Sequence, residues 1–317
     1  MMELKFGDSI AQREVFGRTL VDLADEFRDL VVLDPDVAPS TQTHFFKAAY
    51  PDRFFEIGIA EQNMMGIAAG MSTMGYIPFI SAFAVFATQR AGDQIRNSIA
   101  HTKANVKING SYGGLPTGRA GATHSAFEDV AAIRCLPGMT ILEPADTRET
   151  VLLTRLSLEI DGPVYLRTVR CEVPTLFGED HKVEVGKAVR MREGRDIAII
   201  SAGMMTPKAK DAAEILEKQG VSVKHIHMPT LKPLDEEAVC EAAETTRAII
   251  TVENHSIIGG LGSAVCETTA ARCPAKVVRL GFKDIFLECG NDELLFSQYD
   301  VNTENIVNHA LAVMKEI

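Results

Sequence analysis

The uncharged run QNMMGIAAGMSTMGYIPFISAFAVFATQ, Gln62 to Gln89, decides how this chain folds. Its length alone permits a membrane span. Gly66, Gly70 and Gly75 interrupt it, however, and Tyr76-Ile77-Pro78 breaks it. It therefore reads as a buried helix starting near Ala60, a turn, and a buried strand starting near Ile77. Strands apolar on both faces belong at the centre of a parallel sheet covered by helices. The same alternation continues on either side. Residues 12–28 have helical periodicity, Leu30-Val-Val-Leu33 is a short strand, 86–101 reads as helix and Val106-Lys-Ile108 as strand. Gly110 to His124 holds five glycines and a proline. Loops of that length inside a compact domain are often functional.

The texture changes over 171–195, where Phe177-Gly-Glu-Asp-His and the charge-dense 190–195 come after Cys171-Glu-Val-Pro. A linker is expected there. A second βαβ series begins beyond it: strand Ile197–Ser201, helix 205–219, strand 221–226, helix 235–245, strand 248–252, helix 260–272 and strand 276–280. Strands alternating with helices imply an α/β fold of two domains, 1–180 and 190–317, each a mainly parallel sheet flanked by helices.

Bulk properties narrow the function. A chain of 317 residues, 46% apolar, can bury two ordinary cores. A net charge of −11 argues against a nucleic-acid binder, which carries a basic face. The start, MMELKFGDSIAQRE, is too polar for a signal peptide. Six scattered cysteines without a Cys-x-x-Cys pair read as reduced thiols of a cytoplasmic protein rather than a disulfide framework or zinc site. The histidines show no metal-ligand spacing, and His225 and His227, alternating on a strand, read as structural.

Glu61 is the most informative single residue. It stands at the edge of the uncharged run and is the last acid before Asp93. Burial there disfavours its charged form. On local sequence alone, an acid stabilising the first turn of a helix explains it equally well.

The words around it point further. Gly58-Ile-Ala-Glu-Gln-Asn63 resembles the segment of transketolases and deoxyxylulose-phosphate synthases that holds their cofactor-activating glutamate. Twenty-two residues after Glu61, Phe83-Ala-Val-Phe86 is similar to the aromatic pair that cradles the cofactor's pyrimidine. Gly121-Ala-Thr-His124 looks like the family's Gly-Pro-Thr-His, and Leu136-Pro-Gly-Met-Thr-Ile-Leu-Glu-Pro-Ala-Asp146 resembles the family's next strand and helix start. Val252-Glu-Asn-His and Gly259-Gly-Leu-Gly-Ser-Ala264 resemble the C-terminal domain. The ordered set covers nearly the whole chain. The resemblance implies the pyrimidine-binding and C-terminal domains of a transketolase, a transferase of aldehyde or ketone residues, using thiamine diphosphate. That cofactor works through a carbanion at its thiazolium C2. Glu61 then takes the role of hydrogen-bonding the pyrimidine nitrogen, and Phe83 and Phe86 supply flat apolar walls. A one-residue length difference between these phenylalanines and Arg96 leaves open whether Gln89 or Arg90 replaces the family's third aromatic.

By the same resemblance, Asp36-Val37-Ala-Pro-Ser40 matches a loop whose first residues lie near the cofactor and whose serine touches substrate phosphate. Arg13, 23 residues before Asp36, and Arg167 fall at phosphate-binding arginines. Two guanidinium forks and the Ser40 hydroxyl make a sensible phosphate clamp. Alone, Arg13 reads as a surface helix arginine and Arg167 as a strand-end charge. His124 is implied on the substrate side, binding ketose oxygens and moving protons. Tyr112 stands where the family has a substrate-binding histidine, and Ala120 where it has an aspartate. Arg119 is a candidate contact for an unusual acidic group.

The family's Gly-Asp-Gly with a downstream asparagine, which anchors Mg²⁺ and the diphosphate, does not occur in this sequence. The expectation is a subunit of a transketolase that moves a two-carbon ketol unit from a phosphorylated ketose to an aldose. Its diphosphate, with Mg²⁺ or Ca²⁺, is held by an N-terminal partner chain, with two copies of each chain. The alternatives are a deoxyxylulose-phosphate-synthase-like or 2-oxo-acid dehydrogenase β-like subunit, and a catalytically silent scaffold. Gly259-Gly-Leu-Gly is a weak phosphate-loop match and reads better as tight packing at a helix start.

Overall fold

The structure is a computed structural model that describes residues 4–115, 117 and 119–316. Four strands, Leu30–Asp34, Ile77–Phe83, Lys107–Ser111 and Val164–Arg167, run parallel in that spatial order at the heart of a seven-stranded sheet. Phe54–Glu56 extends it on one side and Thr140–Leu142 on the other, both in parallel. Every residue of Leu30–Asp34 and of Lys107–Ser111 is buried, as expected for strands covered on both faces. The uncharged run forms the helix Glu61–Ser72 and the strand Ile77–Phe83. Helix Gln12–Leu23 turns Val15, Phe16, Thr19, Leu20 and Leu23 inward at helical spacing. Helix Thr147–Glu159 starts where Asp146 accepts from the Glu149 amide at 2.7 Å.

The second sheet has five strands, in the order Val277–Phe282, Ile249–Ser256, Ile197–Ser201, Val223–His227 and Val189–Arg192. The first four are parallel and the last is antiparallel. Helices Asp292–Gln298 and Thr303–Glu316 lie beyond the last strand that the sequence pattern suggested. No helix among the described residues is long and apolar enough to cross a membrane.

The segment 171–195 is more ordered than a linker. Glu172–Pro174 pairs with Ser9–Ala11, and the charge-dense Val189–Arg192 is an edge strand of the second sheet. Charged side chains suit an edge because they discourage further pairing. Thr230–Lys232 crosses over to become the antiparallel edge of the first sheet. One apolar core also runs without a break from Met64, Ile80 and Ile108 to Ile200, Ile226 and Val265.

The cysteine expectation is corrected at one pair. Cys240, in helix Glu236–Thr245, and Cys273, closing helix Leu261–Arg272, form a disulfide across adjacent helices with Cα atoms 5.4 Å apart. Sequence spacing carries no sign of a pair brought together by helix packing. The remaining four cysteines are free.

Candidate active site

Ligands in open parallel sheets bind beyond the carboxyl ends of the strands. Four neighbouring strands here end on Asp34, Phe83, Ser111 and Arg167. Three of those ends, with the helix start at Glu61 and the loops after 111 and 117, build one polar and aromatic site.

At its centre is a cluster of rings. Phe83 lies 6.0 Å from Phe86, 4.3 Å from Tyr112 and 6.1 Å from His124, between centroids. Phe86 and His124 meet edge to face at 5.3 Å. The His124 ring is tied through Nδ1 to the Thr123 hydroxyl at 2.9 Å. Glu61, the first residue of its helix, is 2% exposed. Its Oε2 accepts a 2.7 Å hydrogen bond from Nη1 of Arg90, whose guanidinium lies 4.4 Å from the centre of the Phe86 ring. Thus Glu61, Phe83, Phe86 and His124, all singled out in the sequence, are joined by contact, and Arg90 bridges the carboxylate to the rings.

Arg13 reaches the other side of the cluster. Its Nη1 donates to the Tyr112 hydroxyl at 2.8 Å and to the Ser40 carbonyl at 3.0 Å. Its Nε is buried without a hydrogen-bond partner among the described residues, as is the Ser111 hydroxyl. Buried donors left open in this way are costly unless a ligand takes them. Tyr112 holds its place with φ at +62°, a sparsely populated conformation that clusters at functional sites. Asp36 and Val37 stand nearby, at the end of Leu30–Asp34, but among the described residues no hydrogen bond or ring contact joins them to the ring cluster. The Asp36 amide donates to Glu56 and the Val37 amide to Asp34. Asp34, which the sequence reading passed over, shapes that loop, accepting also from Thr41 and Thr43. Burial pushes its carboxyl up to about 6 despite those donors.

Arg167 is corrected. The sequence placed it in the phosphate clamp, yet it is 1% exposed and every guanidinium nitrogen is used inside the protein. Nε and Nη2 grip Asp129 at 2.8 and 3.1 Å, Nη1 holds Glu143 at 2.8 Å, and Nη2 also donates to the carbonyls of Ala126 and Asn254. It is the central cation of a buried network. Its charge holds Asp129 below the usual carboxylate range, although burial alone acts the other way. Glu143, with a single contact to the shared cation, is pushed up by burial.

Another arginine, Arg170, which the sequence reading did not single out, does stand near the cluster. It lies three residues past the strand end, with its guanidinium 5.9 Å from the centre of the Tyr112 ring. It lines a cleft of about 620 Å³ between the domains, together with Arg119, Lys208 and Glu172. Arg13 and Arg170 therefore both lie beside Tyr112. The signal was present in Arg167-Thr-Val-Arg170, but choosing between the two arginines requires knowing where the strand ends.

The second domain holds the glycine-rich loop in place. Asn254 Nδ2 donates to the Gly113 carbonyl at 3.2 Å, and its Oδ1 accepts from the Leu115 amide at 3.0 Å. Gly114 has φ at +74°, and a Cβ there would sit 2.1 Å from Asn254 Nδ2. Glu253 accepts from the amides of Leu261 and Gly262 at 2.7 and 2.9 Å. A Cβ on Gly260 would meet Glu253 Oε2 at 2.0 Å, so Gly259-Gly-Leu-Gly is tight packing at a helix start. Among the described residues, no group of three or more His, Cys, Asp or Glu could hold a metal ion.

Residues 8–175 match the family model of the transketolase pyrimidine binding domain, and 186–306 that of the transketolase C-terminal domain. A putative transketolase C-terminal section of Methanocaldococcus jannaschii is 39% identical over 307 residues, covering 96% of either chain. A 6-deoxy-6-sulfo-D-fructose transketolase subunit of a Clostridium species is 38% identical, covering 94% of this chain and 92% of its own. A solved split-gene transketolase, described as an inactive β4 tetramer, superposes with a TM-score of 0.90 at 44% identity, covering 96% of this chain and 99% of that one.

Proposed function

The chain belongs to the transketolase family, and we propose that it is the subunit that activates thiamine diphosphate in a two-chain transketolase, transferring a two-carbon ketol unit from a phosphorylated ketose to an aldose. The observation that carries this reading is Glu61, buried at a helix start with one carboxylate oxygen unengaged among the described residues, beside rings set for a flat heteroaromatic group. That donor set fits the cofactor's aminopyrimidine.

When bound, thiamine diphosphate supplies a nucleophilic carbon and an electron sink. The residues of this chain prepare and flank it. Glu61 holds a proton at the pyrimidine ring nitrogen, and Phe83 and Phe86 orient the ring and exclude water. His124, in edge contact with Phe86, faces the substrate and moves protons to and from its oxygens. Arg13, through its unpaired Nε, and Arg170, beside the same Tyr112, bind the terminal phosphate, with Ser40 near them. Asp36 and Val37 lie at the edge of the cofactor site. The diphosphate and its Mg²⁺ or Ca²⁺ are assigned to a partner chain, and the assembly to two copies of each. Relatives of the same span that are themselves described as a C-terminal section and as a subunit support a separate partner chain.

The test is to purify the chain with its partner, add thiamine diphosphate and Mg²⁺, and offer ketose phosphates with aldoses. Two-carbon transfer, together with loss of C2 proton exchange in Glu61→Ala, is the expected result. Pyruvate consumption without ketol transfer would overturn the transketolase reading in favour of synthase or dehydrogenase chemistry.

A further inference from the structure

The contact between Arg90 and Glu61 has a specific form. Arg90 ends a π turn, Phe86–Arg90, and a second π segment, Ile95–Ala100, comes after one short turn. A π turn accommodates one more residue than an α turn and tends to occur at functional sites. Within it the guanidinium of Arg90 lies over the Phe86 ring, whereas Gln89, also exposed, has no hydrogen bond or ring contact among the described residues.

The guanidinium then meets two requirements at once. It is a flat group lying 4.4 Å from the Phe86 centroid, and it gives Glu61 its only side-chain hydrogen bond among the described residues. That bond uses Oε2 and leaves Oε1 open. The Arg90 side chain is 43% exposed while that of Glu61 is 3% exposed, so the arginine reaches inward to a carboxylate that does not move out to meet it. An exposed arginine gains little from a surface ion pair. Here the partner is buried, and loss of the cation would leave a buried carboxylate without its one donor.

We propose that Arg90 is a positioning residue of the cofactor site. It forms the third wall of the ring pocket, where a guanidinium plane stands in for an aromatic, and it fixes Glu61 by Oε2 so that Oε1 faces the pyrimidine nitrogen. The inference rests on the role given to Glu61 above. Arg90 thus has two separable duties: charge beside Oε2, and a flat surface beside Phe86. Lysine keeps the first and lacks the second, whereas methionine lacks the charge.

The experiment uses the assembled two-chain enzyme carrying Arg90→Met or Arg90→Lys, with thiamine diphosphate as the probe. C2 proton exchange is measured at saturating cofactor, and the cofactor Kd by calorimetry. Arg90→Met is expected to slow exchange about tenfold or more, a fraction of what a lost acid–base group costs, and to weaken the Kd. Arg90→Lys should recover most of the exchange rate while its Kd stays as weak as that of Arg90→Met. Wild-type exchange in Arg90→Met, or equal exchange in the Met and Lys variants, overturns the proposal. Glu61→Ala is the separate control: if it exchanges at the wild-type rate, the role of Glu61 itself fails, whatever Arg90 does.

Discussion

Replacing Arg167 by methionine separates the two roles that this arginine could have. The side chain makes five hydrogen bonds, to Asp129 twice and to Glu143, Ala126 and Asn254 once each. Methionine fills a similar volume and supplies none of them. Asp129 would keep the Tyr165 hydroxyl at 2.7 Å, with His255 Nε2 at 3.9 Å. Glu143 would lose its cation altogether. Removing one partner of a buried ion pair costs about 3–5 kcal/mol, and two carboxylates share this cation, so the upper part of that range applies. At roughly 2–4 °C per kcal/mol, Tm should fall by about 8–20 °C. The assay is thermal and urea denaturation of the chain, together with a double-mutant cycle. Arg167→Met combined with Asp129→Asn should destabilise well short of the sum of the single changes, because both act on one network. An unchanged Tm, with a KM raised only for phosphorylated donors, would refute this account and return Arg167 to the phosphate clamp.

Two further outcomes concern the clamp and the acid stability of the chain. Arg13→Ala and Arg170→Ala should each raise KM about tenfold or more for phosphorylated substrates and little for unphosphorylated ones, as loss of one charge-assisted contact implies. An equal effect on both substrate types would remove the arginine concerned from phosphate binding. Burial lowers the His225 ring from an ordinary 6.5 to about 3, where it bonds the Ser201 hydroxyl. A depressed histidine contributes stability that is complete above about pH 6.5 and is lost as the pH falls towards 3. His225→Gln should therefore flatten the fall of Tm between about pH 6.5 and 4, and a slope equal to that of the wild type would exclude His225 as a source of acid sensitivity.

The features legible in the sequence are those set by local pattern. The strands and helices around Gln62–Gln89 arise from apolar runs punctuated by glycine and proline, and Glu61, Phe83, Phe86 and His124 stand in short motifs. Features that depend on distant partners were not legible. Arg167 is buried because Asp129 and Glu143, 38 and 24 residues away, converge on it. Nothing local distinguishes it from Arg170, which passes the strand end and faces the cleft. Arg90 was a candidate but could not be chosen over Gln89, because a π turn leaves no mark in apolar periodicity. The edge strand Thr230–Lys232 and the Cys240–Cys273 pair depend on packing between elements far apart in the chain.

These long-range features bear on what the unit of function is. The residues proposed to touch cofactor lie in the first domain, which invites the view that the second is an appendage. The connections oppose that view. Thr230–Lys232 completes the first sheet beside Thr140–Leu142. The Asn254 carbonyl takes one of the bonds of Arg167, while its side chain pins Gly113 and Leu115, which come directly after Tyr112. Tyr112 in turn holds Arg13 and packs on Phe83. A displacement at Asn254 would thus pass through the glycine-rich loop to the aromatic cluster. Preorganised sites need their supporting groups locked by packing and hydrogen bonds. Here part of that support comes from Asn254, and so the second domain belongs to the scaffold of the proposed active site even though Glu61 lies outside it.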